Sequence, residues 1–178
     1  MLSDEALYER LLDGDLAAFD CLYERYERPL VGFILKHLTD RAEAEDVLHE
    51  AFMGVLRQRR AGPGNFRAWL FQVARNLCLN HLRTQSRAQH ALQKVASEGE
   101  PQAEPAQRAL ERHQAVAALQ KAVDCLPPPL AELYHLRVAG LSYEEMAGVV
   151  QAPLGTVKSR MHEMVGRLRE EIRPWTAD

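Results

Sequence analysis

Apolar residues in this chain recur every three or four positions, and no segment alternates apolar and polar residues with a period of two. That pattern predicts helices throughout and an all-α fold. A short first helix is predicted over Asp4 to Leu12, and Asp13-Gly14-Asp15 breaks it and caps the next. Phe19, Leu22, Tyr23, Tyr26, Leu30, Phe33 and Ile34 carry the second helix to about Lys36. Pro29 lies inside that run and predicts a kink or a short break. Asp40 is placed to cap a third helix, with Glu43 three residues on as in a capping box. Val47, Leu48, Ala51, Phe52, Val55 and Leu56 form its buried face. The other face shows Glu43, Asp46, His49, Glu50 and Met53, which fits either a solvated surface or a docking face for a basic partner helix.

Charge is divided unevenly. Met1 to Leu56 holds 13 acidic and 5 basic residues, Arg57 to Ala96 holds none and 8, and Ser97 to Asp178 holds 12 and 9. The whole chain is formally at -3, so an acid-free basic block of this length looks placed for a polyanion. Within the block, a helix from Phe66 onward puts Phe66, Leu70, Val73 and Leu77 on one apolar face, and Phe71, Cys78 and Leu82 on a second. Between them runs a stripe of Trp69, Gln72, Asn76, Asn80, Arg83 and Arg87. Aromatic rings stack on unpaired bases, amides read base edges and guanidiniums neutralise phosphates. The loop Ala61-Gly62-Pro63-Gly64-Asn65 precedes the stripe, and its glycines let backbone approach a ligand closely. Taken alone, this face also fits an ordinary solvated surface, and Trp69 fits a core position.

Ser97 to Pro105 is polar, acidic and Pro-containing, and reads as a flexible linker. The chain divides on this reading into residues 1–95, a linker at 96–106 and a second helical domain at 107–178. In the second domain, Leu110, Val116, Ala117, Leu119 and Val123 mark a helix to about Cys125, stopped by Leu126-Pro127-Pro128-Pro129. Leu130 to Val138 is the next helix. Ser142 and Glu145 then form a capping box for a short helix with Met146, Ala147 and Val150. Gln151-Ala152-Pro153-Leu154 makes a tight turn, and Val157, Met161, Met164 and Leu168 give a longer helix its apolar face. Two helices joined this way form a helix-turn-helix, whose second helix enters the major groove. Ser159, His162, Glu163 and Gly166 would face base edges, with Lys158, Arg160 and Arg167 suited to phosphates. An ordinary helical hairpin is the alternative.

Composition narrows the functional classes. Hydrophobic residues make up 47% and charged residues 26%, as in a globular protein, and no apolar run approaches the ~20 residues a membrane span needs. The acidic start Met1-Leu2-Ser3-Asp4-Glu5 does not resemble a signal peptide, so a cytoplasmic location is expected. Cys21, Cys78 and Cys125 are far apart, and the seven His have no ligand spacing, so neither a metal site nor a cofactor is expected. Without a nucleophile–base pair or a phosphate loop, an enzyme is not expected either.

Three motifs in this order carry a resemblance. They are Ala44-Glu45-Asp46-Val47-Leu48-His49-Glu50-Ala51-Phe52, then Phe66-Arg67-Ala68-Trp69-Leu70 with Ala74-Arg75-Asn76, and then Gly140-Leu141-Ser142-Tyr143-Glu144-Glu145 with Gly155-Thr156-Val157-Lys158-Ser159-Arg160. From about Tyr8 to Glu171 the chain resembles the extracytoplasmic-function (ECF, group 4) sigma factors of bacterial RNA polymerase. The resemblance implies a sigma domain 2 and a sigma domain 4, and a subunit that directs promoter-specific initiation. It implies docking of Glu45, Asp46, Leu48, His49, Glu50 and Phe52 on the clamp helices of the polymerase largest subunit, with further contact at the flap. It implies −10 recognition and base capture by Gly62, Gly64, Asn65, Arg67, Trp69, Gln72, Arg75, Asn76, Asn80, Arg83 and Arg87. It implies −35 recognition by Thr156, Lys158, Ser159, Arg160, His162, Glu163 and Arg167. Core RNA polymerase, promoter DNA and an anti-sigma factor are the implied partners, with no membrane insertion.

The sequence departs from the family's pattern in three places. His49 stands where Gln is usual, Glu163 stands where a basic residue is usual, and Pro127-Pro128-Pro129-Leu130 lacks a basic residue common there. A competing reading is a sigma-like mimic that occupies an anti-sigma factor without driving transcription. The intact Lys158-Ser159-Arg160 and the acid-free block argue against it.

Overall fold

The structure is a computed structural model that describes residues 2–58, 64–92 and 118–176, with side chains for 2–58, 64–86 and 118–171. The expected linker at 96–106, the start of the second domain, and Gly62 lie outside the described residues. Among the described residues every regular element is a helix: α1 (Asp4–Leu12), α2 (Leu16–Ile34), α3 (Arg41–Arg57), α4 (Phe66–Leu92), α5 (118–124), α6 (Pro128–Val138), α7 (Tyr143–Val150) and α8 (Leu154–Thr176).

Local chemistry sets most boundaries. The Ser3 hydroxyl accepts from Ala6 N–H to start α1, and Asp15 accepts from Ala17 N–H to start α2. Gly14 between them takes a φ of 96°, a left-handed turn that a side chain would strain. The Arg10 guanidinium, 2.5 Å from Asp15, holds that exposed carboxyl below its ordinary range. Asp40 accepts from both Ala42 and Glu43 N–H at the head of α3. The expected capping box is not completed there, because the Glu43 carboxylate turns to α4 and accepts from Gln85 Nε2 at 2.7 Å beside His81.

Two boundary expectations are corrected. α2 runs unbroken through Pro29 to Ile34. The lost backbone bond is offset because Tyr26, Leu30, Phe33 and Ile34 are all buried on one side of the helix. Pro128 and Pro129 do not precede α6 but form its first turn, where a missing N–H leaves nothing unpaired.

α1 to α4 enclose one core. Its centre is an aromatic cluster on Phe66, with ring centroids 5.3 Å from Tyr8, 5.7 Å from Tyr26 and 5.9 Å from Trp69. Tyr23 and Phe19 pack on Phe52 at 4.7 and 5.9 Å, and Phe33 packs on Phe71 at 5.4 Å. Cys78 lies in the same interior, and burial pushes its thiol up to about 12. Leu56 and Leu82, expected inside, are 41% and 38% exposed.

α5 to α8 form the second unit around Leu130, Leu133, Leu136, Leu141, Met146, Val149, Val157, Met161 and Met164. α7 opens on the expected capping box: Glu145 N–H donates to the Ser142 hydroxyl at 3.1 Å and Ser142 N–H donates to the Glu145 carboxylate at 2.7 Å. Ser142→Ala is expected to cost about 1 kcal/mol of stability, read as a lower denaturant midpoint at unchanged slope. α7 ends at Gln151 in the left-handed region (φ 54°, ψ 46°), and this turn sends the chain into α8. The two units touch: α4 lies along α7, and the interior is continuous from one unit to the other.

Candidate nucleic-acid interface

α4 starts on Asn65, whose side-chain oxygen accepts from Ala68 N–H at 2.8 Å, while Glu5 of α1 accepts from Phe66 N–H. The helix presents three different faces. Phe66, Leu70, Phe71, Ala74 and Cys78 are buried. Asn76, Asn80 and Arg83 are exposed in a row, with Gln72 half-buried beside them. Gly64 and Asn65 are exposed at the head of the helix. Trp69 is half-buried, and its ring lies 6.0 Å from Tyr8 and 5.9 Å from Phe66. That packing makes it a member of the aromatic core rather than of the exposed stripe. The Arg87 side chain lies outside the described residues.

The third face of α4 meets the second unit. Arg75 donates to Glu132 through Nε at 2.5 Å and through its terminal nitrogen at 3.2 Å. Arg67 donates to the Ala139 carbonyl at 2.7 Å, and Asn65 Nδ2 donates to the Glu145 carboxylate at 3.3 Å. Three residues expected to hold single-stranded DNA are therefore engaged with α6, its C-terminal turn and α7. The sequence held no signal for Glu132 and Glu145 as their partners, because the pairing spans 57 and 80 positions.

A cleft of about 530 Å³ opens beside these contacts, lined by Lys36, His37, Arg75, Leu79, Leu82, Pro128, Pro129, Glu132, His135, Val150 and Arg160. Burial works to raise the Glu132 carboxyl, but the His37 imidazole 3.8 Å away and the hydrogen bonds from Arg75 outweigh it and leave the group below its ordinary range. His135 is lowered to about 4, by burial first and then by the charges of Lys36 and His37, with Asp124 opposing. The signs agree. A depressed Glu stabilises the packed state above its ordinary pKa and loses that contribution as pH falls through the folded value. An open or unfolded chain takes up the His135 proton below about pH 6.5, while the packed chain does not until about 4. The melting temperature of the full chain is expected to fall as pH drops from 6.5 toward 4.5, and His135→Asn should flatten that slope. An unchanged slope in His135→Asn would refute the assignment.

The helix-turn-helix of α7 and α8 is closed by Val157, Met161 and Met164 inside. Lys158, Ser159, His162, Glu163 and Arg167 are exposed on α8, and Thr156 and Arg160 are half-buried. Ser159 donates its hydroxyl hydrogen to the Thr156 carbonyl at 3.0 Å. Glu163 pairs with Arg167 one turn on, at 3.0 Å, so the acidic departure is partly neutralised within the helix. Such an exposed pair contributes little stability.

On α3, Glu45, Asp46, His49 and Glu50 are exposed, next to Met53 (45% exposed) and Leu56 (41%). Leu48 and Phe52, expected at this docking face, are 3% and 2% exposed. They hold the helix from inside, and Met53 and Leu56 supply the apolar surface instead. The helical period explains Met53, one position past Phe52 and so beyond the buried arc, while Leu56 lies next to the last residue of α3, where the packing ends.

Residues 22–88 match the family model Sigma-70 region 2, and residues 117–166 match Sigma-70, region 4. The RNA polymerase sigma-H factor of Pseudomonas aeruginosa is 32% identical over 96% of this chain and 94% of its own. The ECF RNA polymerase sigma-E factor of Haemophilus influenzae is 30% identical over 97% of both chains. The fold is similar to that of CnrH, solved in complex with the cytosolic domain of CnrY (TM-score 0.68, 19% identity, 96% of this chain and 97% of that one). It is also similar to the sigma factor RpoE, solved with the anti-sigma factor NepR from Bartonella quintana (TM-score 0.66, 23% identity, 87% and 96%). With both sigma regions matched in order, and a relative this similar along nearly its whole length, the chain belongs to the ECF sigma factors of the sigma-70 family.

Proposed function

We propose that this protein is a specificity subunit of RNA polymerase that reads two promoter elements with two separate helices. The carrying observation is the pairing, in one chain, of the exposed Asn76, Asn80 and Arg83 row on α4 with an exposed recognition face on α8. The α4 row suits an unpaired strand, whose bases offer edges to amides and whose phosphates attract Arg83. The α8 face suits a duplex: Lys158 and Arg167 hold phosphates while Ser159, His162 and Glu163 reach bases, Glu163 as an acceptor for a cytosine amino group. The acidic and apolar α3 surface is the polymerase dock, on the clamp helices of the largest subunit, and the second unit reaches the flap. An anti-sigma factor is the further partner, because chains of this fold have been solved with proteins of that class.

Free-energy magnitudes fit shared labour. Separating a base-pair step costs ~1.4 kcal/mol. Stacking returns ~1–3 kcal/mol per captured base. One or two captured bases nucleate a bubble, and the polymerase must hold the rest.

The test is in vitro transcription with core polymerase and DNA from upstream of the protein's own gene. A discrete start that is lost on Asn80→Ala and on Arg160→Ala supports both DNA sites. Binding to core without any transcript across several native promoters would favour the mimic. Absence of core binding would sink the proposal.

A further inference from the structure

We propose that α8 reads its duplex through a strip of hydrogen-bond acceptors, Ser159 and Glu163, and that Glu163, positioned by Arg167, selects a cytosine. This inference rests on the duplex-reading role proposed for α8.

Three hydrogen bonds carry it. Ser159 donates its one hydroxyl hydrogen to the Thr156 carbonyl at 3.0 Å, so toward a ligand it offers lone pairs alone. An ionised carboxylate likewise only accepts. Glu163 receives Arg167 Nε at 3.1 Å and the Arg167 terminal nitrogen at 3.0 Å, and both bonds end on Oε1. Among the described residues no donor meets Oε2, which leaves one carboxylate oxygen for a base. Ser159 and Glu163 are exposed one turn apart on one side of α8, away from the buried Val157, Met161 and Met164. Four residues of helix advance about 6 Å, more than one base-pair step of about 3.4 Å, so the two acceptors meet different base pairs.

Groove chemistry turns this polarity into a base preference. In the major groove cytosine shows its N4 amino donor, guanine the N7 and O6 acceptors, thymine the O4 acceptor, and adenine an N6 donor beside the N7 acceptor. Guanine and thymine set lone pairs against the carboxylate. Adenine sets N7 next to its amino group, where it repels the anion. Cytosine alone offers a donor with no acceptor beside it. Ser159 is uncharged and accepts from either amino-bearing base. His162, next to Glu163, has one donor and one acceptor when neutral and makes no such one-way demand.

Arg167 acts through Glu163. An exposed ion pair of this kind adds little stability, so its effect is on orientation. It orders the carboxylate before DNA arrives, and less side-chain freedom is then lost on binding. Two of the five guanidinium N–H donors are used, and the others are left for a phosphate alongside. An acidic residue can therefore stand at a polyanion, its charge offset by Arg167 on one side and its free oxygen paired to a base on the other.

The test uses holoenzyme assembled from core polymerase and the full chain, offered duplex DNA of fully randomised sequence, with the bound duplexes sequenced. The enriched motif that is lost in Arg160→Ala marks the site of α8. Within it, one position is expected to favour a cytosine over every other base at least ~5-fold, the low end of what one base pair discriminates. Glu163→Gln, whose amide pairs with N6 and N7 together, should move that position to adenine on the same strand. Glu163→Ala should abolish the preference there and keep the rest of the motif. Arg167→Ala should weaken binding and also flatten that one position, whereas loss of a phosphate contact alone would leave every base preference as it was. Glu171→Gln removes the same charge at the exposed far end of α8 and should leave the motif unchanged.

A motif unaltered by both Glu163 variants would overturn the proposal, and its continued enrichment would leave the duplex-reading role standing. A responsive position that holds an A·T pair in the wild type would overturn the selection of cytosine. Full preference in Arg167→Ala would overturn the positioning role. An equal shift in Glu171→Gln would reduce the effect to net charge and overturn the proposal as well. Absence of any motif that depends on Arg160 would remove the reading of α8 itself.

Discussion

Phe66→Ala is expected to destabilise the α1–α4 unit by about 3–5 kcal/mol, a large share of the stability of a unit this size. Phe66 is fully buried at the first position of α4, and its ring is shared by Tyr8 of α1, Tyr26 of α2 and Trp69 of its own helix. Truncation leaves a cavity where α1, α2 and α4 meet, and stiff aromatic neighbours collapse into it poorly. Part of the loss should be the aromatic pair term, about 0.5–1.5 kcal/mol beyond area alone. Phe66→Leu keeps most of the volume and should recover more than half of the loss. The measurement is chemical denaturation of the full chain, monitored by tryptophan fluorescence with Trp175 replaced by Phe so that Trp69 alone reports. A loss below about 1 kcal/mol would mean that this cluster is not where the unit is held together.

The second large effect is expected at the α3 surface proposed as the polymerase dock. Reversing Glu45, Asp46 and Glu50 to lysine should weaken binding to core polymerase at least ~100-fold, because like charges set opposite one another cost several kcal/mol. All three are exposed, and among the described residues only Glu45 has an ion-pair partner, Arg41 one turn before it at 3.0 Å. Folding should therefore be nearly untouched, which separates this variant from Phe66→Ala. The loss should grow as salt is lowered, since added salt screens the new repulsion. Met53→Ser would test the apolar part of the same surface, and a smaller loss is expected there. Full binding by the triple variant would exclude α3 as the dock.

Helix content was legible from periodicity, and three caps from single residues: Asp15, Asp40 and Ser142 each sit where the first free N–H groups need an acceptor. The errors had local causes. Pro29 reads as a kink or a short break on its own, and the break does not occur because its neighbours are buried strongly enough to carry the helix through it. Glu43 has the spacing of a capping box and is drawn instead to Gln85 and His81, 42 and 38 positions away. Leu48 and Phe52 belong to the motif of the helix expected to dock on polymerase, yet a motif holds core positions as well as surface ones.

Element types, the division of charge and the order of the two helices proposed as DNA readers follow from the chain alone, because each of these depends on neighbours within a turn or two. So does the family, through motifs that are local in the chain. Which of the basic and amide groups on α4 remain open is set by packing between helices. Whether Arg75 faces solvent or Glu132 depends on a contact between helices 57 positions apart, and no period or cap encodes that distance. Whether Trp69 stacks on a base or on Tyr8 depends in the same way on where α1 lies. Local chemistry sets each helix, whereas packing selects which of its faces is left for a ligand.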